Sequence, residues 1–172
     1  MDALSSFVRK GGKLIVFYSS EPRLADLLGV KLGKYQSTEA YGRWSQLRFN
    51  EFAAEDIPRV VKQESRNIRP VLPASSDSRV IAVWADTNGK PGNDTAMAQS
   101  PAGFWMSHVL LDDGDSMNKK MLLLGMIASL DPSIYSTVAP VFRNTAGNIG
   151  SFGNISRADK QITKLSEKHP RS

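Results

Sequence analysis

Cysteine is missing from this 172-residue chain. Without a thiol there is no Cys nucleophile, no disulfide framework and no Cys-type zinc site. Histidine is scarce: His108 and His169 are the only two. Long apolar runs are lacking too. The longest, Met121 to Leu130, is about ten residues and contains Gly125, too short to span a bilayer. Residues 1–10 place Asp2, Arg9 and Lys10 around a short apolar pattern, without the apolar core of a signal peptide. No G-x-S-x-G elbow occurs, and Gly11-Gly12 leads into no Lys-Ser/Thr pair of a phosphate loop.

What is present is enough for a packed core: 41% of residues are hydrophobic and 8% aromatic. The net charge is +5, but the basic residues are scattered. The densest group (Lys160, Lys164, Lys168, Arg171) is interleaved with Asp159 and Glu167. That pattern reads as solvated surface and argues against a nucleic-acid footprint, which needs clustered positive charge.

The pattern along the chain alternates helices and strands. Leu4, Phe7 and Val8 mark one helix face, ended by Gly11-Gly12. Lys13–Tyr18 is a continuous apolar run, expected of a strand buried on both faces in a parallel sheet. Ser20 and Pro22 then suit the start of a short helix closed by Gly29. Residues 41–52 suggest a strand with one wet side, 55–61 a helical turn, and Ile68–Leu72 an edge or loop around Pro70. Residues 79–111 suggest antiparallel pairing, with a turn at Asp86–Asn93. Lys119–Leu130 is an apolar helix, capped by Asp115 or Ser116, expected to be largely buried and stopped by Asp131-Pro132. A Gly/Asn/Ser-rich linker covers 143–156, before a polar helix to Lys168.

Phe7-Val8, Gly11-Gly12 and Leu14-Ile15-Val16-Phe17, followed by Leu24-Ala25 and Leu27-Leu28-Gly29-Val30, resemble the middle of class I glutamine-amidotransferase-like domains. Three later features are similar to the C-terminal module of bacterial family-ten-like glycosyl-hydrolase-like proteins. They are Val80-Ile81-Ala82-x-Trp84-x-Asp86, Gly103-Phe104-Trp105-Met106-Ser107-His108-Val109-Leu110-Leu111, and the apolar helix ending Leu130-Asp131-Pro132. The resemblance covers residues 1–135. It implies a flavodoxin-like α/β fold: a mixed, mainly parallel sheet with helices on both faces and a late antiparallel hairpin. Since Met1 falls almost directly on a helix, the strand that would precede it is expected to be missing or supplied elsewhere, as in a piece of a longer protein. The expected division is an amidotransferase-like domain over 1–135 and a linker with a polar tail over 136–172.

Amidotransferase chemistry needs a cysteine nucleophile with His and Glu, and that thiol is absent here. The candidates for other chemistry are His108, which can serve as a base near neutral pH, and the loop carboxylates Asp112 and Asp113. Each has a plainer role: a strand histidine, a loop and a helix cap. Trp44, Trp84 and Trp105 are candidates for stacking on a sugar, with core packing as the plainer role. The Asp86–Lys90 run departs from a calcium loop, because Lys90 stands where an oxygen ligand is needed. No metal or cofactor is implied. The resemblance implies a noncatalytic accessory or interaction domain of a carbohydrate-active protein, its partners being other domains of that protein, carbohydrate, or a second copy of the chain. The alternative is a small hydrolase using His108 with acidic loop residues.

Overall fold

The structure is a computed structural model, and it describes residues 2–145 and 155–168. The chain divides into two compact units, residues 1–130 and 131–172. In the first unit the elements are α1 (Asp2–Arg9), β1 (Leu14–Phe17), α2 (Pro22–Leu27), β2 (Val30–Leu32), β3 (Gln36–Ser37), β4 (Trp44–Phe49), β5 (Val60–Ser65), β6 (Asn67–Ile68), β7 (Val71–Pro73), β8 (Arg79–Ala85), β9 (Pro91–Ser100), β10 (Gly103–Met106) and α3 (Ser116–Leu130). The second unit holds α4 (Ile134–Thr145), which contains Pro140, and α5 (Ile155–Lys168); the two helices touch each other. Residues 146–154 of the expected linker, and His169 and Arg171 of the tail, lie outside the described residues.

Six strands form one curled sheet in the order β1-β10-β9-β8-β4-β5. Only β1 and β10 run parallel; β10·β9, β9·β8, β8·β4 and β4·β5 are all antiparallel. Two short ladders, β2·β7 and β3·β6, stand beside it. This overturns the expected flavodoxin-like fold and with it the amidotransferase and glycosyl-hydrolase resemblance. The physical reason lies in the connections. Asp86–Lys90 joins β8 to β9 and Pro101-Ala102 joins β9 to β10, and connections this short permit only antiparallel pairing. With 30% helix and 32% strand, no helical layer flanks a parallel sheet. The apolar run Leu14–Phe17 is not a central strand: it sits at the sheet edge and all four residues are half-buried.

Alternation along the strands sorts the core into two clusters. On one side Trp44, Leu47, Ile81, Trp84, Phe104 and Met106 pack with Leu122 and Met126 of α3. On the other, Trp105 and Ala98 pack with Ala25 and Leu28 beside α2, and with Val30 and Val71 of the β2·β7 ladder. The second face is thus covered by one six-residue helix and a two-stranded ladder.

Local details depart from the sequence pattern in instructive ways. The α2 cap is Glu21 rather than Ser20: its carboxylate accepts from the Arg23 N–H at 3.1 Å. Residues 60–65 form strand β5, so the helical turn expected over 55–61 is overtaken at Val60-Val61, because Val61, Gln63 and Ser65 alternate inward. Lys119 in α3 is buried, while Met117 and Leu123 are exposed, so the apolar helix is not covered all round. At the start of β10, Gly103 has φ +138°, and a Cβ there would stand 1.8 Å from the Leu14 carbonyl oxygen. Only glycine allows the β1 backbone that close.

Candidate functional site

The parallel pair ends in a polar cluster. Tyr18 follows β1 in the left-handed region at φ +46°, a conformation rare for a bulky residue. Its N–H donates to Met106 O at 3.0 Å, and its hydroxyl donates to Asn67 Oδ1 at 2.6 Å. The Tyr18 and His108 ring centroids lie 5.0 Å apart. Burial raises the Tyr18 pKa, the Tyr35 hydroxyl adds to the rise, and the Arg69 charge opposes it. Arg69 is tied in place by its backbone N–H, which donates to Ser107 O at 2.9 Å, and its guanidinium lies 6.0 Å from the Tyr35 ring. His108, Tyr18, Asn67, Tyr35 and Arg69 therefore meet where β6 docks at the end of β1 and β10.

His108 is 7% exposed. Its Nδ1 is 3.0 Å from Val109 O, and a carbonyl oxygen only accepts, so Nδ1 carries the proton. The Gln63 amide nitrogen, 3.4 Å from the same Nδ1, is aimed instead at Val109 O (2.9 Å) and Ser65 Oγ (3.2 Å). Burial lowers the His108 pKa, against a raising effect of the Val109 carbonyl and of Asp113. The ring is neutral at pH 7, and no described carboxylate hydrogen-bonds to it.

The acidic candidates have other duties. Asp113 binds the buried Lys119 ammonium and accepts the Glu64 N–H at 2.7 Å. Burial pushes its pKa up, but these bonds outweigh it and hold the carboxyl below its usual value. Asp115 accepts the Lys62 N–H at 2.7 Å and the Asn118 side chain at 2.8 Å. Asp112 is exposed. Asp86 closes the β8–β9 turn by accepting from Asn88 N and Lys90 N, both at 2.9 Å. Among the described residues, no three His, Cys, Asp or Glu side chains converge to hold a metal.

Trp44, Trp84 and Trp105 are each 1% exposed, so they fill the core and present no face to a sugar. Trp44 Nε1 donates to Asp94 Oδ2 at 3.0 Å, and Trp84 Nε1 to Ser107 Oγ at 2.8 Å. Asp94 also accepts from Gln36 (2.8 Å) and Arg43 (3.3 Å), which latches the β3 segment to the sheet.

The exposed aromatics lie elsewhere. Tyr35 is 51% exposed and Tyr41 64% exposed, on either side of β3. The Arg66 guanidinium sits 3.8 Å from the Tyr41 ring centroid. Neither Arg66 nor Arg69 has a carboxylate within salt-bridge distance among the described residues, whereas Arg43 is paired with Asp94. Two Arg/Tyr pairs, one close and one at the outer limit of cation–π reach, thus flank the β3·β6 ladder. Sequence reasoning singled out the three tryptophans and not Tyr35, Tyr41, Arg66 or Arg69. A signal was present: arginines flank Asn67-Ile68, and aromatics flank Gln36–Ala40.

No family model matches this chain, and no curated protein matches it significantly. Among the described residues, no helix is long and apolar enough to cross a membrane.

Proposed function

We propose that the first unit is a noncatalytic interaction domain, and that the Arg/Tyr surface around the β3·β6 ladder is its docking face. The observation that carries this reading is the Arg66–Tyr41 pair: a cation with no carboxylate within salt-bridge distance among the described residues, 3.8 Å from the centroid of a ring that is 64% exposed. Tyr and Arg supply much of the energy at protein interfaces, because they are large, amphipathic and partly pre-ordered. Arg69 and Tyr35 extend the surface toward Tyr18. The chemistry fits an acidic partner surface, on another domain of the same protein or on a separate chain. A carbohydrate-active parent is not carried forward, since its only support was a resemblance that the fold overturns.

The hydrolase alternative is disfavoured because no carboxylate among the described residues hydrogen-bonds to His108 and Asp113 is already bound to Lys119. The test is a peptide array graded in acidic and aromatic content, run with wild type and the double variant Tyr41→Ala/Arg66→Ala. Binding that favours acidic peptides and falls at least about tenfold in the folded variant supports the reading; such a loss is about 1.4 kcal/mol. A hydrolase substrate panel runs in parallel. Turnover by wild type that disappears in His108→Ala sinks it.

A further inference from the structure

The β3·β6 ladder carries different chemistry on its two faces. Directly paired residues share a face, and successive residues alternate. Gln36 pairs with Ile68, and Ser37 with Asn67. Ile68 is buried in the first core cluster and the Gln36 amide donates to Asp94 at 2.8 Å, so their face turns onto the sheet. The other face carries Ser37 and Asn67 and, one pair further along, Tyr35 and Arg69. Ser37 and Tyr35 are exposed there, while Asn67 and Arg69 are half-buried. Among the described residues, nothing accepts a hydrogen bond from Asn67 Nδ2, Ser37 Oγ or the Arg69 guanidinium. Asn67 Oδ1 is already taken by the hydroxyl of Tyr18, whose left-handed backbone is strain of the kind that collects at ligand clamps. Arg69 is presented from a fixed backbone: Pro70 follows it, and its N–H donates to Ser107 O at 2.9 Å. Carboxylates that could neutralise it are committed elsewhere. Glu64 accepts the Gly42 N–H and the Ser45 hydroxyl, and Asp94 accepts from Gln36, Arg43 and Trp44. Within residues 33–43 and 65–70 the only carboxylate is Glu39, against Lys34, Arg43, Arg66 and Arg69.

We propose that this face binds a phosphate monoester borne by the acidic partner, with Arg69 as the fork and the Asn67 amide and Ser37 hydroxyl as further donors. The proposal rests on the reading of the ladder as a docking face and names the group that face recognises. The donor set decides between anions. A carboxylate has two oxygens, which one guanidinium fork satisfies, and it would leave Asn67 and Ser37 without acceptors. A phosphoryl group brings three acceptor oxygens and a charge of about −1.5 to −2. Donors that reach it from two adjacent strands suit a tetrahedral group better than a planar one.

One labelled acidic peptide, made with serine, glutamate or phosphoserine at its centre and followed by fluorescence anisotropy, tests this. The phosphoserine form should bind at least about tenfold tighter than the glutamate form. Arg69→Lys keeps the charge and loses the fork, so it should cut that ratio to about twofold or less. Inorganic phosphate at millimolar concentration should shift the Ser37, Asn67 and Arg69 amide resonances of the wild type, a readout that needs no peptide and no variant. The docking face and the phosphate fail in different ways. Equal binding of the glutamate and phosphoserine forms, both weakened by Tyr41→Ala/Arg66→Ala, overturns the phosphate and leaves the docking face standing. Phosphate shifts with no binding of any peptide overturn the docking face and, with it, the partner as the source of the phosphate. A phosphoserine advantage that survives in folded Arg69→Lys overturns the proposal. So does tighter binding of a single-stranded oligonucleotide than of the phosphoserine peptide, which would assign the face to a phosphodiester.

Discussion

At the β5 end of the sheet, Asp115 and Asp113 accept the N–H groups of Lys62 and Glu64 at 2.7 Å each, and Gln63 exchanges bonds with Leu111 N and Val109 O. A loop lies along the strand and answers its backbone without being a strand. At the β1 end, the backbone groups of Ile15 and Phe17 have no strand or loop partner among the described residues. The difference teaches that exposure of an edge is a local choice. Asp113, one of the catalytic candidates, serves with the cap residue Asp115 as a backbone acceptor for β5, a role that guards this edge.

The largest effect that would break this comparison is at Gly103. Gly103→Ala puts a Cβ on the Leu14 carbonyl and demands a φ that alanine avoids. It should detach β1 from β10 and cost about 3 kcal/mol or more in urea unfolding. Next comes Asp113→Ala, which strands the buried Lys119 ammonium and frees the Glu64 N–H. A loss of about 2 kcal/mol is expected, and the uncapped β5 edge should raise the aggregation rate seen by light scattering. Stability unchanged within error would mean that the loop does not guard this edge. Tyr18→Phe removes only the hydroxyl bonded to Asn67 and should cost about 1 kcal/mol. Equal stability would show that the strained turn after β1 needs no such anchor.

The smallest effect at neutral pH separates the ends by acid. Asp113 and Asp94 have folded pKa values below their usual 3.8. The stability they contribute is complete above that value and is lost as pH falls through it toward the folded values. His108 has a folded pKa below its usual 6.5, so it too costs stability as pH falls below 6.5. Thermal melts from pH 7 to 3 should therefore decline in two stages. His108→Gln should flatten the upper stage and Asp113→Asn part of the lower. An upper stage that persists in His108→Gln would refute the assignment.

Single elements were legible where local pattern decides. Leu14–Phe17, Arg79–Ala85, Gly103–Met106 and the α3 helix all appear near their expected places. Architecture was not, because an apolar run of four residues looks alike at the edge and in the centre of a sheet. β5 was obscured by Pro58 and Arg59, and α4 by Pro140 in its interior. For the site, His108 was visible as a rare residue, but the side chains gathered with it come from distant segments. Nothing in a linear reading joins Tyr18 to Asn67 or Asp113 to Glu64, which are 49 residues apart in each pair.

The three buried indoles differ in what their N–H groups meet: a carboxylate for Trp44, a hydroxyl for Trp84, and no partner among the described residues for Trp105. Optically they are three different chromophores. Trp105 should emit furthest to the blue, from the cluster beside α2, while Trp44 and Trp84 report on the cluster beneath α3. The protein thus carries its own two-channel reporter, and single-tryptophan variants would reveal whether its two sides melt as one.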